Sequence, residues 1–159
     1  MKTILFFAAT AVCCLALYAA DGSQTGTAGS QAASLANQGR FAEAAAKFEE
    51  AIKAEPANAT LYLNLGLVCR ELGRYRDAVS YLEKSVELDP ELNTAYYNLA
   101  LIYEALAVIP DKMGFAPDQE NYLRKALSCW HKVLKLENNR HKRHTAIRHI
   151  KHISMRLPK

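Results

Sequence analysis

The densest set of potential ligands lies near the carboxyl end, where His141, His144, His149 and His152 fall close together. Imidazole is a common metal ligand, so a metal centre is the first chemistry to weigh. On a helix, however, these four side chains spread over about 140° of arc, with Arg and Lys between them and no nearby carboxylate or Cys to complete a set. No metal site and no cofactor is expected. His131 stands beside Trp130 without a nucleophile, and the Glu-rich stretches 43–55 and 83–91 have the spacing of solvated helix faces, with Glu49 and Lys53 four apart. A nucleophile with its base, a paired-carboxylate site and a Gly-rich phosphate loop are all missing from the pattern, so the chain is not expected to be an enzyme.

Cys13 and Cys14 lie within an apolar run from Ile4 to Ala20 that follows Met1 and Lys2 and ends at a polar stretch rich in small residues. A positive start, an apolar centre and small residues beyond it describe an export signal, here assigned to residues 1–22, with a polar linker over 23–29. Cleavage after Ala20 would set Tyr18 three residues before the cut, which is not a small residue, so retention as a membrane anchor stays open. The run falls short of the roughly 20 apolar residues that span a bilayer comfortably, which favours export with cleavage. The expected location is therefore periplasmic or secreted, the alternative being an inner-membrane anchor facing the periplasm. Lipidation is not expected, since the apolar run continues beyond both cysteines. Cys69 and Cys129 sit among apolar helical positions, where two buried thiols are favoured over a disulfide.

The 159 residues carry 20 Lys and Arg against 16 Asp and Glu, and the distribution is more informative than the balance. Residues 140–159 hold seven Lys or Arg and no acid. Wound as a helix over 140–157, this tail sets Ala146, Ile147, Ile150, Ile153 and Leu157 on one side and Arg148, Lys151 and Arg156 with the imidazoles on the other. Such a helix caps the preceding structure with its apolar stripe, and its basic surface is either solubilising or a site for anionic lipid or an acidic partner. Nucleic acid is not an expected partner, because basic charge alone supplies only sequence-independent attraction. With half its residues apolar, the chain has material for one domain and excludes a large multidomain enzyme.

The elements that position these groups follow from an internal repeat. Gly39, Phe41, Ala44, Phe48, Ala51 and Pro56 recur 34 residues later as Gly73, Tyr75, Ala78, Leu82, Ser85 and Pro90. Small and large apolar residues four apart share a helical face, and the Pro ends the helix, so each unit is a helix–turn–helix. Segments QGRFAEAAAKFEEAIKAEP and LGRYRDAVSYLEKSVELDP, with first helices LYLNLGLVCRELG and AYYNLALIYEALA, resemble the tetratricopeptide repeat. The resemblance spans residues 25–138, with repeats at about 25–58, 59–92 and 93–138. It implies an all-α, right-handed solenoid of about three repeats with a carboxyl-terminal capping helix.

Gly66 and Ala100 on first helices, and Ala44, Ala78 and Ala126 on second helices, allow close helix approach. Gly26 and Gly29 weaken the opening helix, which is expected to begin near Ser30. In the third repeat Ala126 and Trp130 come about 14 residues beyond the repeat register, so an insertion is expected near 108–120, containing Pro110, Gly114 and Pro117. Its Met113 and Phe115 suit either a lid over a groove or simple edge packing.

The resemblance also implies a concave surface formed by the first helices. Carried over by position, it comprises Thr60, Leu63, Asn64, Leu67, Arg70 and Glu71 in repeat two, and Thr94, Tyr97, Asn98, Leu101, Glu104 and Ala105 in repeat three. Relatives that grip a chaperone's terminal carboxylate use Lys and Asn, then Asn, then Lys and Arg. Only Asn64 matches, with Gly29, Ala33, Thr94 and Asn98 at the other places. The surface therefore suits an apolar helix or extended peptide fixed by Asn64 and Asn98, while Leu67 and Leu101 stand equally well between helices. A non-enzymatic protein-interaction adaptor of the bacterial envelope is the leading expectation. Its alternatives are a membrane-associated scaffold using an uncleaved anchor and the basic tail, and an accessory subunit of an envelope enzyme complex.

Overall fold

The computed structural model describes residues 28–108 and 119–157. The segment expected to be an export signal, most of the linker and residues 109–118 of the expected insertion, with Met113 and Phe115, lie outside the described residues. Seven helices follow one another: α1 (Ala28–Asn37), α2 (Phe41–Ala54), α3 (Ala59–Glu71), α4 (Tyr75–Leu88), α5 (Asn93–Leu106), α6 (Gln119–Leu136) and α7 (Arg140–Arg156). They form two compact units, one ending at Tyr81 and the other beginning at Leu82, so that α4 runs through the division.

The turns within the first unit are written into the backbone chemistry. Gly39 and Gly73 adopt φ values of 76° and 73°, a left-handed conformation that costs a side chain with a Cβ but not glycine. In the second of these turns Gly73 N–H donates to Arg70 O at 3.0 Å and Arg74 N–H to Cys69 O at 2.8 Å, closing the end of α3. The same pair of bonds joins Gly39 to Ala36 and Arg40 to Leu35. Each turn then starts the next helix with an Arg paired three residues on, Arg40 with Glu43 and Arg74 with Asp77. Asn58 and Asn139 cap α3 and α7 by accepting backbone N–H bonds from Thr60 and from His141 and Lys142.

Helix α1 includes Gly29 and begins two residues before the expected Ser30. Complete burial of Ala32 and near-complete burial of Ala36 in its packing against α2 outweigh the roughly 1 kcal/mol that a glycine costs inside a helix. Phe48, Leu65, Val68 and Ala78 are among the buried residues of the first unit, with Ala44 at zero exposure where close approach demands a small residue. In the second unit, Leu82, Leu99, Ile102, Trp130, Val133 and Ile153 are buried, and Ala95 and Ala100 on α5 and Ala126 on α6 are fully buried small residues. Ser85, standing where the repeat elsewhere has Ala51, is also fully buried.

Candidate interaction surfaces

The candidate residues of α3 separate by depth once the helix is packed. Leu63 and Leu67 are 0% and 2% exposed, so neither offers a side chain to a partner, and their assignment to a binding surface is corrected. A helix in a stack is contacted on more than one side, which draws leucines expected at a surface into the interior. Thr60, Asn64, Arg70 and Glu71 remain half-buried. Thr60, Asn64 and Glu71 recur at intervals of four and seven, which places them in one longitudinal stripe. The Arg70 guanidinium donates to Glu71 Oε1 at 2.8 Å, so its charge is matched by its neighbour.

On α5, Thr94, Tyr97, Leu101 and Ala105 are half-buried, whereas Asn98 is only 3% exposed. Its Nδ2 donates to Thr94 O at 2.7 Å within the same helix. Asn98 therefore satisfies buried backbone and is withdrawn as a partner-fixing amide. Hydrophobic periodicity alone does not distinguish the two asparagines, because both occupy the same repeat position.

Glu104, also assigned to the binding surface, has a different task. Trp130, fully buried on α6, donates its indole N–H to Glu104 Oε1, and His149 Nδ1 on α7 lies 2.9 Å from the same oxygen and 3.1 Å from Oε2. The imidazole stacks on the indole at a centroid distance of 4.4 Å and an interplanar angle of 21°. Tyr97 meets the other part of the indole edge-on, at 5.2 Å and 87°. One carboxylate thus joins three helices, and aromatic contacts hold the junction. Its assignment to partner contact is corrected accordingly: burial and two internal hydrogen-bonding groups occupy Glu104. His149, expected on the outer basic face, turns inward for the same reason. Its signal in the sequence was faint, an imidazole at the edge of the apolar stripe.

Lower in the second unit, Glu83 accepts the Tyr103 phenol O–H, while Lys125 lies 3.7 Å from Glu83 and 5.3 Å from the centre of the Tyr103 ring. Burial, reinforced by the bond to Glu83, pushes the Tyr103 phenol far above its usual range. Asn93 Nδ2 donates to Glu137 Oε2 at 2.8 Å, tying the start of α5 to the segment after α6.

Both cysteines outside the amino segment are free thiols: Cys69 is buried and Cys129 half-buried. Burial, followed by the nearby Glu83, pushes Cys129 up to about 12. At pH 8 its thiolate fraction should consequently be about a thousandfold below that of an ordinary thiol, and alkylation of the folded chain correspondingly slow. Iodoacetamide labelling followed by peptide mass spectrometry tests this, with urea-unfolded chain as the fast reference. Among the described residues no group of three or more His, Cys, Asp and Glu side chains is gathered to hold a metal ion, and no helix is long and apolar enough to cross a membrane.

Helix α7 presents most of its basic residues outward. Arg148, Lys151 and Arg156 are exposed, together with Arg140, His141, His144 and His152. Ala146 and Ile153 are fully buried and Ile150 and Leu157 half-buried, but Ile147 is 50% exposed. The sealing stripe is therefore narrower than expected.

Residues 30–91 and 70–106 match the family model for the tetratricopeptide repeat. No curated protein matches the chain. Among solved structures, the first repeat domain of Spaghetti (RPAP3), bound to the HSP90 peptide SRMEEVD, is similar with a TM-score of 0.64 and 19% identity, over 85% of this chain and 98% of that one. The Arabidopsis OM64 repeat domain gives 0.65 and 21%, covering 82% and 93%. The second repeat domain of human RPAP3, in complex with the HSP70 peptide SGPTIEEVD, gives 0.62 and 18%, covering 80% and 92%. The fold class is thus the all-α repeat solenoid.

Proposed function

Because the chain belongs to the tetratricopeptide repeat family, we propose that it is a non-enzymatic interaction adaptor, exported to the cell envelope, that takes up a peptide or helix of a partner protein on the first helices of its repeats. The observation that carries this reading is the half-buried Thr60, Asn64 and Glu71 stripe on α3. A hydroxyl, an amide and a carboxylate along one stripe are suited to pairing with the backbone of an incoming segment, since an amide offers a donor and an acceptor together. Solved neighbours of the same fold hold peptides of HSP90 and HSP70. The partner here should differ in charge, because Gly29 and Ala33 stand where the family resemblance implies Lys and Asn for a carboxylate grip. Thr94, Tyr97 and Leu101 on α5 supply a second, more apolar set. Export rests on the charge-free run from Ile4 to Ala20.

Asn64→Ala should weaken partner capture about tenfold while changing melting little, since this side chain is only half-buried. Asn98→Ala should instead destabilise the fold by about 1–2 kcal/mol, because it removes a buried amide bonded to backbone. Affinity capture from envelope fractions, quantified beside thermal melting, separates the two. Undiminished capture by Asn64→Ala moves the site off α3, and a mature terminus near Asp21 in the captured chain supports export.

A further inference from the structure

The outer arc of α7 combines two features that the solenoid does not require. First, it is purely cationic. The segment holds no Asp or Glu, and the nearest carboxylates are drawn to its inner side: Glu104 toward Trp130 and His149, and Glu137 toward Asn93 and Lys142. Arg143, though exposed, is engaged with backbone, donating to Leu134 O and Glu137 O. Arg140, Arg148, Lys151 and Arg156 are exposed and form no ion pair among the described residues.

Second, two large apolar side chains stand in the midst of this charge. Ile147 is 50% exposed and Met155 is 70% exposed. They lie eight residues apart, about 12 Å along the axis, and about 80° apart around it, with Arg140, His144 and Lys151 in the arc between. A solubilising surface has no use for them, and an acidic peptide or a phosphate backbone would leave them against water.

We propose that the outer face of α7 docks on an anionic lipid surface, with Lys151 and its neighbouring Arg residues at the headgroups and Ile147 and Met155 entering the boundary of the acyl chains. Such a surface answers both features, since phosphate groups match the cations and the shallow apolar zone takes the two side chains. The face is about 24 Å long, suited to lying in an interface plane. Membrane docking of α7 goes beyond peptide capture on α3 and stands independently of it.

The test is co-sedimentation of the full chain with vesicles of phosphatidylcholine alone or mixed with phosphatidylglycerol. Comparison of wild type with variants confined to α7 reads α7, because the amino-terminal segment with Lys2 is the same in every chain. The wild-type chain should prefer anionic vesicles, increasingly so as salt is lowered. The triple variant Arg148→Gln, Lys151→Gln, Arg156→Gln should reduce that preference about a hundredfold. Ile147→Ser with Met155→Ser should instead reduce the affinity for the anionic vesicles about tenfold at unchanged charge. All these positions are exposed, so circular-dichroism melting of both variants should match wild type. Equal binding to neutral and anionic vesicles overturns the proposal, as does a preference untouched by the charge variant. An affinity for anionic vesicles untouched by the apolar variant overturns it too, as simple charge attraction. Displacement from vesicles by polyglutamate or duplex DNA at comparable charge concentration would assign the face to an acidic macromolecule instead.

Discussion

Replacing Trp130 by Ala should lower stability by about 3–5 kcal/mol, the largest effect expected of any single truncation in the second unit. The indole is fully buried on α6, is met edge-on by Tyr97, and is stacked on by His149 from α7. Its removal opens a large cavity and also strips Glu104 of its indole donor, leaving a half-buried carboxylate with His149 alone. Trp130→Phe isolates the second part of the loss: most of the volume stays while the N–H is gone, so a cost of about 1–3 kcal/mol is expected from the unmatched acceptor and the imperfect fit. Chemical denaturation of the three chains, followed by far-ultraviolet circular dichroism, checks the order. If Trp130→Phe melts with wild type, the carboxylate junction contributes nothing and packing alone holds α7.

Ile153→Asp should detach α7. The Ile153 side chain is fully buried, and a carboxylate placed there at neutral pH must either remain charged without a partner or take up a proton, each costing several kcal/mol. We expect a loss of about 3 kcal/mol or more, limited by what the docking of the helix is worth. The pH dependence follows from the sign of the shift. Burial raises the carboxyl pKa in the folded state above its unfolded value, so the penalty is smallest in acid, where both states are protonated. It grows as pH rises past the unfolded value near 4. Hydrogen exchange of the α7 amides is the direct readout, with rapid exchange expected at pH 7 and partial protection regained in acid. Ile147→Asp is the control on the same helix. Its side chain is half exposed, so it should change stability by no more than about 0.5 kcal/mol. Protection of α7 in Ile153→Asp equal to that in the control would show that the helix is held by other contacts.

These variants also mark how far the sequence reaches. The interval between Gly39 and Gly73, and the small residues Ala44, Ala78, Ala100 and Ala126, determined the helix–turn–helix repeats, because a left-handed turn excludes most side chains and close helices exclude large ones. Those are local and pairwise constraints, and residue type states them directly. The change from acidic body to basic tail was likewise legible. The tertiary structure alone decided which residues at equivalent repeat positions remain accessible. Asn64 and Asn98 share a register, yet one is half-buried and the other satisfies backbone inside the fold. Helical periodicity gives the direction of a side chain from its own axis. What covers that direction depends on the neighbouring helices, and these differ along the chain. Leu63 and Leu67 were drawn inward, Glu104 was claimed by Trp130 and His149, and Ile147 was left outside the seal, all because the facing surfaces set the width of the buried stripe. A stripe of apolar residues is a property of one helix, whereas burial is a property of the two or three that meet.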